Sequence, residues 1–252
     1  MICDVHIHVG YYNRLGFDRP FYYSPRRVCS VLRRCGVDEF VFSSTSMQTR
    51  GVDYRGVHKE AEEVVRIFGK RAHPFLWVTK GYLDYDPSLS VLSEGLYQGI
   101  KLHGRETPWI TKYMKELKTV LDRAQALRLP VIVHTDAMPD SRPLNWLCVA
   151  AWYKDMRFDF AHGCPREEMV QCLEAAKNIF CDTAGMANED LAYWASSPYR
   201  NRILPGSDFP TVQAKNGEGL TVGLRRVVRS VSKCDQLQKG LLVDNFVRFL
   251  GG

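Results

Sequence analysis

The sequence predicts an α/β protein of the TIM-type (β/α)8 barrel class, and three observations carry that expectation. Short apolar, strand-like runs alternate with longer helix-like runs from one end of the chain to the other. Eight strand candidates share 252 residues, about 31 per strand–helix unit, close to what a barrel of about 250 residues needs. Five of the seven histidines, together with one aspartate, stand at or near the C-terminal ends of those strands. In a barrel those ends form one rim, the face that carries active sites.

In chain order the strands are expected at Ile2 to Val9, Glu39 to Thr45, His73 to Thr79, Gln98 to His103, Val131 to Thr135, Arg157 to His162, Ile179 to Thr183 and Ile203 to Asp208. Ser24-Pro25 opens the first helix and Gly36 closes it, with serine as cap, proline in the first turn and glycine just past the end. Further helices are predicted over Val57 to Lys70 and over Pro108 to Leu127, the latter stopping before Pro130. Later ones start near Ser141, Pro165, Asn188 and Gly219, and Leu237 to Leu250 reads as an amphipathic closing helix. No linker or shift of composition interrupts the series, so residues 1–252 are expected to form a single domain. A doubly wound open sheet is the rival architecture. Its phosphate-binding glycine fingerprint is missing after the first strand, where His6-Ile7-His8-Val9-Gly10 stands instead.

Composition narrows the function classes. With 45% hydrophobic and 25% charged residues the chain reads as globular, which excludes disordered and collagen-like classes. No apolar run approaches the roughly 18 residues of a membrane span. The N-terminus moves straight into a strand pattern, without the basic and apolar regions of a secretory signal. The 8 cysteines show no C-x-x-C pair, so they read as reduced thiols and the expected location is cytoplasmic. The net charge of +6 resides largely in helix-like stretches, such as Arg26, Arg27, Arg33 and Arg34, and Arg225, Arg226 and Arg229. These are read as solvated faces, because a nucleic-acid groove would interleave aromatics with the basic residues. The expected partner is a small molecule, with a leaning toward anions. Neither nucleic acid nor membrane is expected, and a homodimer is left open.

The chemistry follows from side-chain type and strand parity. His6 and His8 are two apart on the first strand and point to one side, with Asp4 below them. His103, His134 and His162 end later strands, and Asp208 ends the last. A catalytic zinc site takes about three imidazole or carboxylate ligands and keeps one position open. His6, His8, His134 and Asp208 supply such a set of three nitrogens and one oxygen, suited to zinc and tolerant of manganese or iron. His58 and His73 receive no role. Cys29, Cys148 and Cys172 are expected as packing residues, and Cys164 lies near the rim.

Asp4-Val5-His6-Ile7-His8, Gly99-Ile100-Lys101-Leu102-His103-Gly104, Val133-His134-Thr135, Ala161-His162-Gly163, Asp182-Thr183 and Gly206-Ser207-Asp208-Phe209-Pro210 resemble the amidohydrolase superfamily. Within it they resemble most the amidohydrolase-related group of small metal-dependent hydrolases and non-oxidative decarboxylases. The closing Asn245-Phe246-Val247-Arg248-Phe249-Leu250-Gly251 resembles that group's last helix. The resemblance implies that His6, His8 and His134 bind the metal, and that Asp208 is a further ligand or accepts the proton of the attacking water. It implies that His162 polarises the substrate or shuttles a proton. In two-metal members a lysine on the fourth strand is carboxylated and bridges the ions. Lys101 holds that position, and His103 shares its face, so either is a candidate for a second metal or for substrate. One divalent metal per chain, zinc first, is expected, and two if Lys101 is carboxylated. Deoxyribonuclease-like relatives usually carry a glutamate on the fourth strand, and histidinol-phosphatase-like ones a D-x-H pair at the last, so both fit less well.

The aromatic loop Tyr11 to Phe17 through Phe21-Tyr22-Tyr23, followed by Arg50 and Arg55 after the second strand, is read as the wall that sets specificity. Arg14 and Arg55 are the candidates for a substrate carboxylate. The expected activity is hydrolysis of a small amide, lactone or ester. Decarboxylation of a small aromatic or unsaturated acid is the alternative, and a non-catalytic metal- or ligand-binding barrel ranks below both.

Overall fold

In a computed structural model of the protein, all residues are described except 13–20, 50, 216, 218, 238, 239 and 252. They fall into two compact units, Met1–Pro74 with Thr183–Arg248 and Phe75–Asp182 with Phe249–Gly252.

The first unit opens with β1 (Cys3–Tyr12), which pairs antiparallel with the short β2 (Phe21–Tyr23) and parallel with β3 (Glu39–Ser44). Helix α1 (Pro25–Cys35) lies between them and has the ends expected of it. The Ser24 hydroxyl accepts from Arg27 N, and Gly36 adopts φ +77° to turn the chain out of the helix. Helix α2 (Tyr54–Phe68) leads to β4 (Ala72–Trp77), whose first residues pair with β3. The unit resumes after residue 182 with α7 (Asn188–Ser196), β9 (Ile203–Leu204), α8 (Thr211–Lys215), α9 (Leu220–Leu237) and α10 (Leu241–Leu250).

The second unit carries the end of β4, α3 (Lys80–Tyr85), β5 (Gly99–His103), α4 (Met114–Ala126), β6 (Val131–His134), α5 (Pro143–Trp152), β7 (Phe158–Ala161), α6 (Arg166–Ala175) and β8 (Ile179–Asp182). Each successive strand from β4 to β8 pairs parallel with the next. The hydrogen-bonded order, β2-β1-β3-β4-β5-β6-β7-β8-β9, follows the chain apart from the β1–β2 hairpin. This is an α/β fold of the (β/α)8 class. Its parallel strands are buried on both faces, which is why they read as near-continuous apolar runs such as Phe40-Val41-Phe42 and Val131-Ile132-Val133.

All eight expected strands form, and three departures have physical causes. The expected helix from Pro108 begins only at Met114. Before it, the Asp140 carboxylate accepts the N–H groups of Ile110 and Thr111 at 2.9 and 2.8 Å, and Lys112 N and Tyr113 N both donate to Pro108 O, which closes this stretch as a turn. The last strand, expected to reach Asp208, ends at Leu204 because Pro205 has no N–H to continue the ladder. The segment still runs beside β1, where Val5 N donates to Pro205 O and His8 N to Phe209 O, both at 2.7 Å. Finally, Phe21–Tyr23, expected as loop, adds a ninth strand.

Candidate metal centre and histidine cluster

In the first unit the site grows from a bulge in β1. Asp4 pairs with Phe40 and Ile7 with Phe42, so three steps along β1 match two along β3 and one extra residue must be accommodated. The Asp4 carboxylate receives the His6 N–H at 3.0 Å and, through the same oxygen, Ser207 N at 3.1 Å. One buried acid therefore secures both the backbone of a candidate ligand and the residue before Asp208.

His6 and His8 emerge from that strand with ring centroids 5.0 Å apart, close to perpendicular. His8 Nε2 lies 3.1 Å and His6 Nε2 3.9 Å from Asp208 Oδ1. Opposite, His8 Nδ1 is 3.1 Å from the Ser43 hydroxyl. The ligand atoms of His6, His8 and Asp208 all lie within 4.8 Å of one another, and all three residues are buried. Zinc bonds of about 2.0–2.1 Å in a tetrahedron place donors about 3.3 Å apart. The three side chains fit that spacing with little adjustment. Asp208 adopts φ +50°, a left-handed conformation unfavourable for a side-chain-bearing residue, of the kind that functional sites retain.

The second unit holds its own histidine cluster. His103 and His134 are paired directly across β5 and β6, so their rings stack at 3.9 Å, and Trp77 stacks on His103 at 5.5 Å. His134 Nε2 meets Asp136 Oδ2 at 2.9 Å, and Arg105 Nε reaches the same oxygen. His134 Nδ1 lies 3.1 Å from His162 Nε2. Burial, joined by the neighbouring His162 and Lys101, pushes the His134 pKa down against the pull of Asp136 and keeps its ring neutral. Burial works to raise Asp136, yet hydrogen bonds from His134 and Met138 N hold it below the usual carboxylate value. His162 adopts φ +72°, with its N–H donated to Asp182 at 2.9 Å.

Beneath these rings sits a buried charge cluster. Lys101 on β5 and Asp159 on β7 flank Ile132 at one level of the sheet. Both oxygens of Asp159 are buried, with Asp182 as the neighbouring acid. Burial, and then the Asp182 carboxylate, drive its pKa well up, with Lys101 opposing, so Asp159 is held as the neutral acid.

The structure thus gathers His6, His8 and Asp208 in one unit and Lys101, His103, His134 and His162 in the other. Arg55 is exposed in the first turn of α2, whereas Arg14 and Arg50 lie outside the described residues. Ser43, Asp136 and Asp159 were not singled out by the sequence. Asp159 had a signal, since an acid between Phe158 and Phe160 in a buried strand demands a charged or hydrogen-bonding neighbour. Cys29 and Cys172 are buried as packing residues, but Cys148 is exposed, a correction to its expected packing role. His73 bonds Glu39 at 2.7 Å. Among the described residues no helix is long and apolar enough to cross a membrane.

No protein-family model and no curated protein matches the chain. Solved structures do. An Acinetobacter baumannii structure assigned as a 2-pyrone-4,6-dicarboxylic acid hydrolase, with citric acid bound, matches with TM-score 0.67 at 12% identity over 100% of this chain and 99% of that one. A Pseudomonas putida structure with the same assignment matches with TM-score 0.67 at 16% identity over 99% and 97%. A Burkholderia multivorans amidohydrolase with bound zinc matches with TM-score 0.67 at 12% identity over 99% of each chain. The chain shares the fold of these structures. In a (β/α)8 barrel the C-terminal strand ends are where active sites sit, and His103, His134 and His162 stand at or just beyond the ends of β5, β6 and β7.

Proposed function

We propose that the protein is a metal-dependent hydrolase that opens a small lactone, ester or amide, acting as one catalytic domain with a single divalent metal, zinc first. The observation that carries this reading is the convergence of His6, His8 and Asp208 within 4.8 Å in a buried setting. When bound there, zinc supplies Lewis acidity, polarising a carbonyl and making water acidic enough to lose a proton at neutral pH.

The chain's own residues do the rest. Asp208, an acceptor when ionised, takes the proton of the attacking water and delivers it to the leaving oxygen or nitrogen. His134, kept neutral and braced by Asp136, presents Nδ1 to His162 Nε2, and this pair passes a proton or polarises a carbonyl. His103, fixed between Trp77 and His134, orients the latter ring. Lys101 is read as an uncarboxylated lysine at the level of Asp159 on the sheet, which favours one metal over two.

The substrate class is a small carboxylate-bearing molecule. Two of the similar structures are assigned to a lactone dicarboxylate, and citric acid occupies one of them. Of the two arginines proposed for a substrate carboxylate, Arg55 is exposed in the first turn of α2, and Arg14 lies outside the described residues.

A panel of lactones, esters, amides and aromatic acids tests the proposal, read both by acid release and by carbon dioxide release. Hydrolysis of at least one anionic lactone or ester, lowered by 10²-fold or more in Asp208→Asn, is expected. Carbon dioxide release without hydrolysis, or full activity of Asp208→Asn, would refute it.

A further inference from the structure

Ser43 stands directly opposite His8 in the β1–β3 register, and both side chains are buried. Its hydroxyl lies 3.1 Å from His8 Nδ1, while His8 Nε2 lies 3.1 Å from Asp208 Oδ1. His8 is thus held between a hydroxyl and a carboxylate. The carboxylate, when ionised, only accepts, whereas the hydroxyl both donates and accepts.

Two neutral tautomers are open to His8, and these neighbours rank them. With the proton on Nε2, the ring donates to Asp208 and Nδ1 accepts the Ser43 proton, so every polar hydrogen has an acceptor. With the proton on Nδ1, the Nε2 lone pair faces the lone pairs of Asp208, and the Ser43 proton has no acceptor recorded among the described residues. A cation between Nε2 and Asp208 reverses the ranking. Nε2 must then offer its lone pair, the proton must reside on Nδ1, and Ser43 must turn from donor to acceptor.

We propose that Ser43 is a positioning residue whose hydroxyl reverses its hydrogen bond to let His8 change tautomer when Nε2 takes a metal. A carboxylate at this place would hold the proton on Nδ1 in both states, whereas an apolar residue would leave the metal-free ring to Asp208 and offer no acceptor for Nδ1–H once metal binds. The serine therefore makes the centre loadable without leaving His8 Nε2 and Asp208 in repulsion when no metal is present. This inference rests on the reading that a metal binds His6, His8 and Asp208, although its metal-free half stands alone.

The test is nitrogen-15 NMR of the His8 ring in the full chain, assigned with His8→Gln, before and after zinc, with zinc affinity measured by competition against a chelating dye. Wild type is expected to carry the proton on Nε2 without metal and on Nδ1 with zinc. Ser43→Ala is expected to keep the metal-free proton on Nε2, where Asp208 accepts it, and to bind zinc about 10- to 100-fold more weakly, and Ser43→Thr to restore the affinity. A doubly protonated ring, the same tautomer in both states, or unchanged zinc affinity in Ser43→Ala would overturn the proposal. If zinc does not bind at all, the metal-centre reading fails and takes the loading step with it, whereas a metal-free proton on Nδ1 in wild type overturns the proposal by itself. Should Ser43→Ala not fold, wild type and Ser43→Thr carry the test.

Discussion

Replacing Asp4 by alanine should destabilise the protein by about 3 kcal/mol and empty the metal centre, although Asp4 is not one of the proposed ligands. One oxygen of Asp4 accepts from His6 N and Ser207 N at 3.0 and 3.1 Å, and the residue is buried. Alanine leaves both N–H groups without that acceptor. At roughly 1–3 kcal/mol for each buried unsatisfied group, the loss is about 2–6 kcal/mol, with about 3 as the working figure. For a chain of this size that lowers Tm by about 6–12 °C. Asp4→Asn keeps an acceptor oxygen and loses only the charge assistance, so about 1–2 kcal/mol is expected. Urea unfolding followed by circular dichroism, with bound zinc measured in parallel, gives both readouts. The alanine variant should lose stability and zinc together, and the asparagine variant should keep most of each. An Asp4→Ala protein within about 0.5 kcal/mol of wild type, or one indistinguishable from Asp4→Asn, would refute the bridging role.

Other consequences can be checked alongside. Below about pH 3.8 the Asp159 carboxyl is protonated in both folded and unfolded chains. As pH rises, the unfolded carboxyl ionises while the buried one stays neutral, so wild type loses stability at up to about 1.4 kcal/mol per pH unit until the raised folded pKa is reached. Asp159→Asn removes that dependence, and its advantage in urea midpoint over wild type should grow from pH 4 to pH 7. A constant or shrinking difference would contradict the neutral-acid assignment. Asp136→Asn should lower kcat about tenfold or more at little changed KM, because His134 loses the carboxylate that fixes its ring toward His162. An unaltered kcat would separate that pair from the chemistry.

Much of the fold was legible because parallel strands buried on both faces leave apolar runs that few other elements produce. The capping of α1 by Ser24, Pro25 and Gly36 is purely local chemistry, and it could be read residue by residue. The His6-x-His8 pair was legible for a similar reason, since strand parity puts both rings on one side. What escaped depends on contacts distant in sequence. Asp140, about 30 positions further on, accepts the N–H groups of Ile110 and Thr111 in a turn where local propensity favours a helix. Pro205 shortens β9 in a way its sequence allows, but the pairing of Val5 with Pro205 and of His8 with Phe209 joins residues about 200 positions apart. Ser43 is an ordinary serine until the β1–β3 register sets it opposite His8. The neutral state of Asp159 likewise follows from its burial and from Asp182 on the next strand, against the pull of Lys101.

The central claim is that His6, His8 and Asp208 hold a divalent metal. Elemental analysis of the full chain purified without chelators, repeated after dialysis against zinc, tests it most directly. About one divalent ion per chain in wild type, lost in both His6→Ala and His8→Ala while their circular dichroism spectra remain native, is the predicted result. A protein that neither retains nor takes up any divalent metal would contradict the claim.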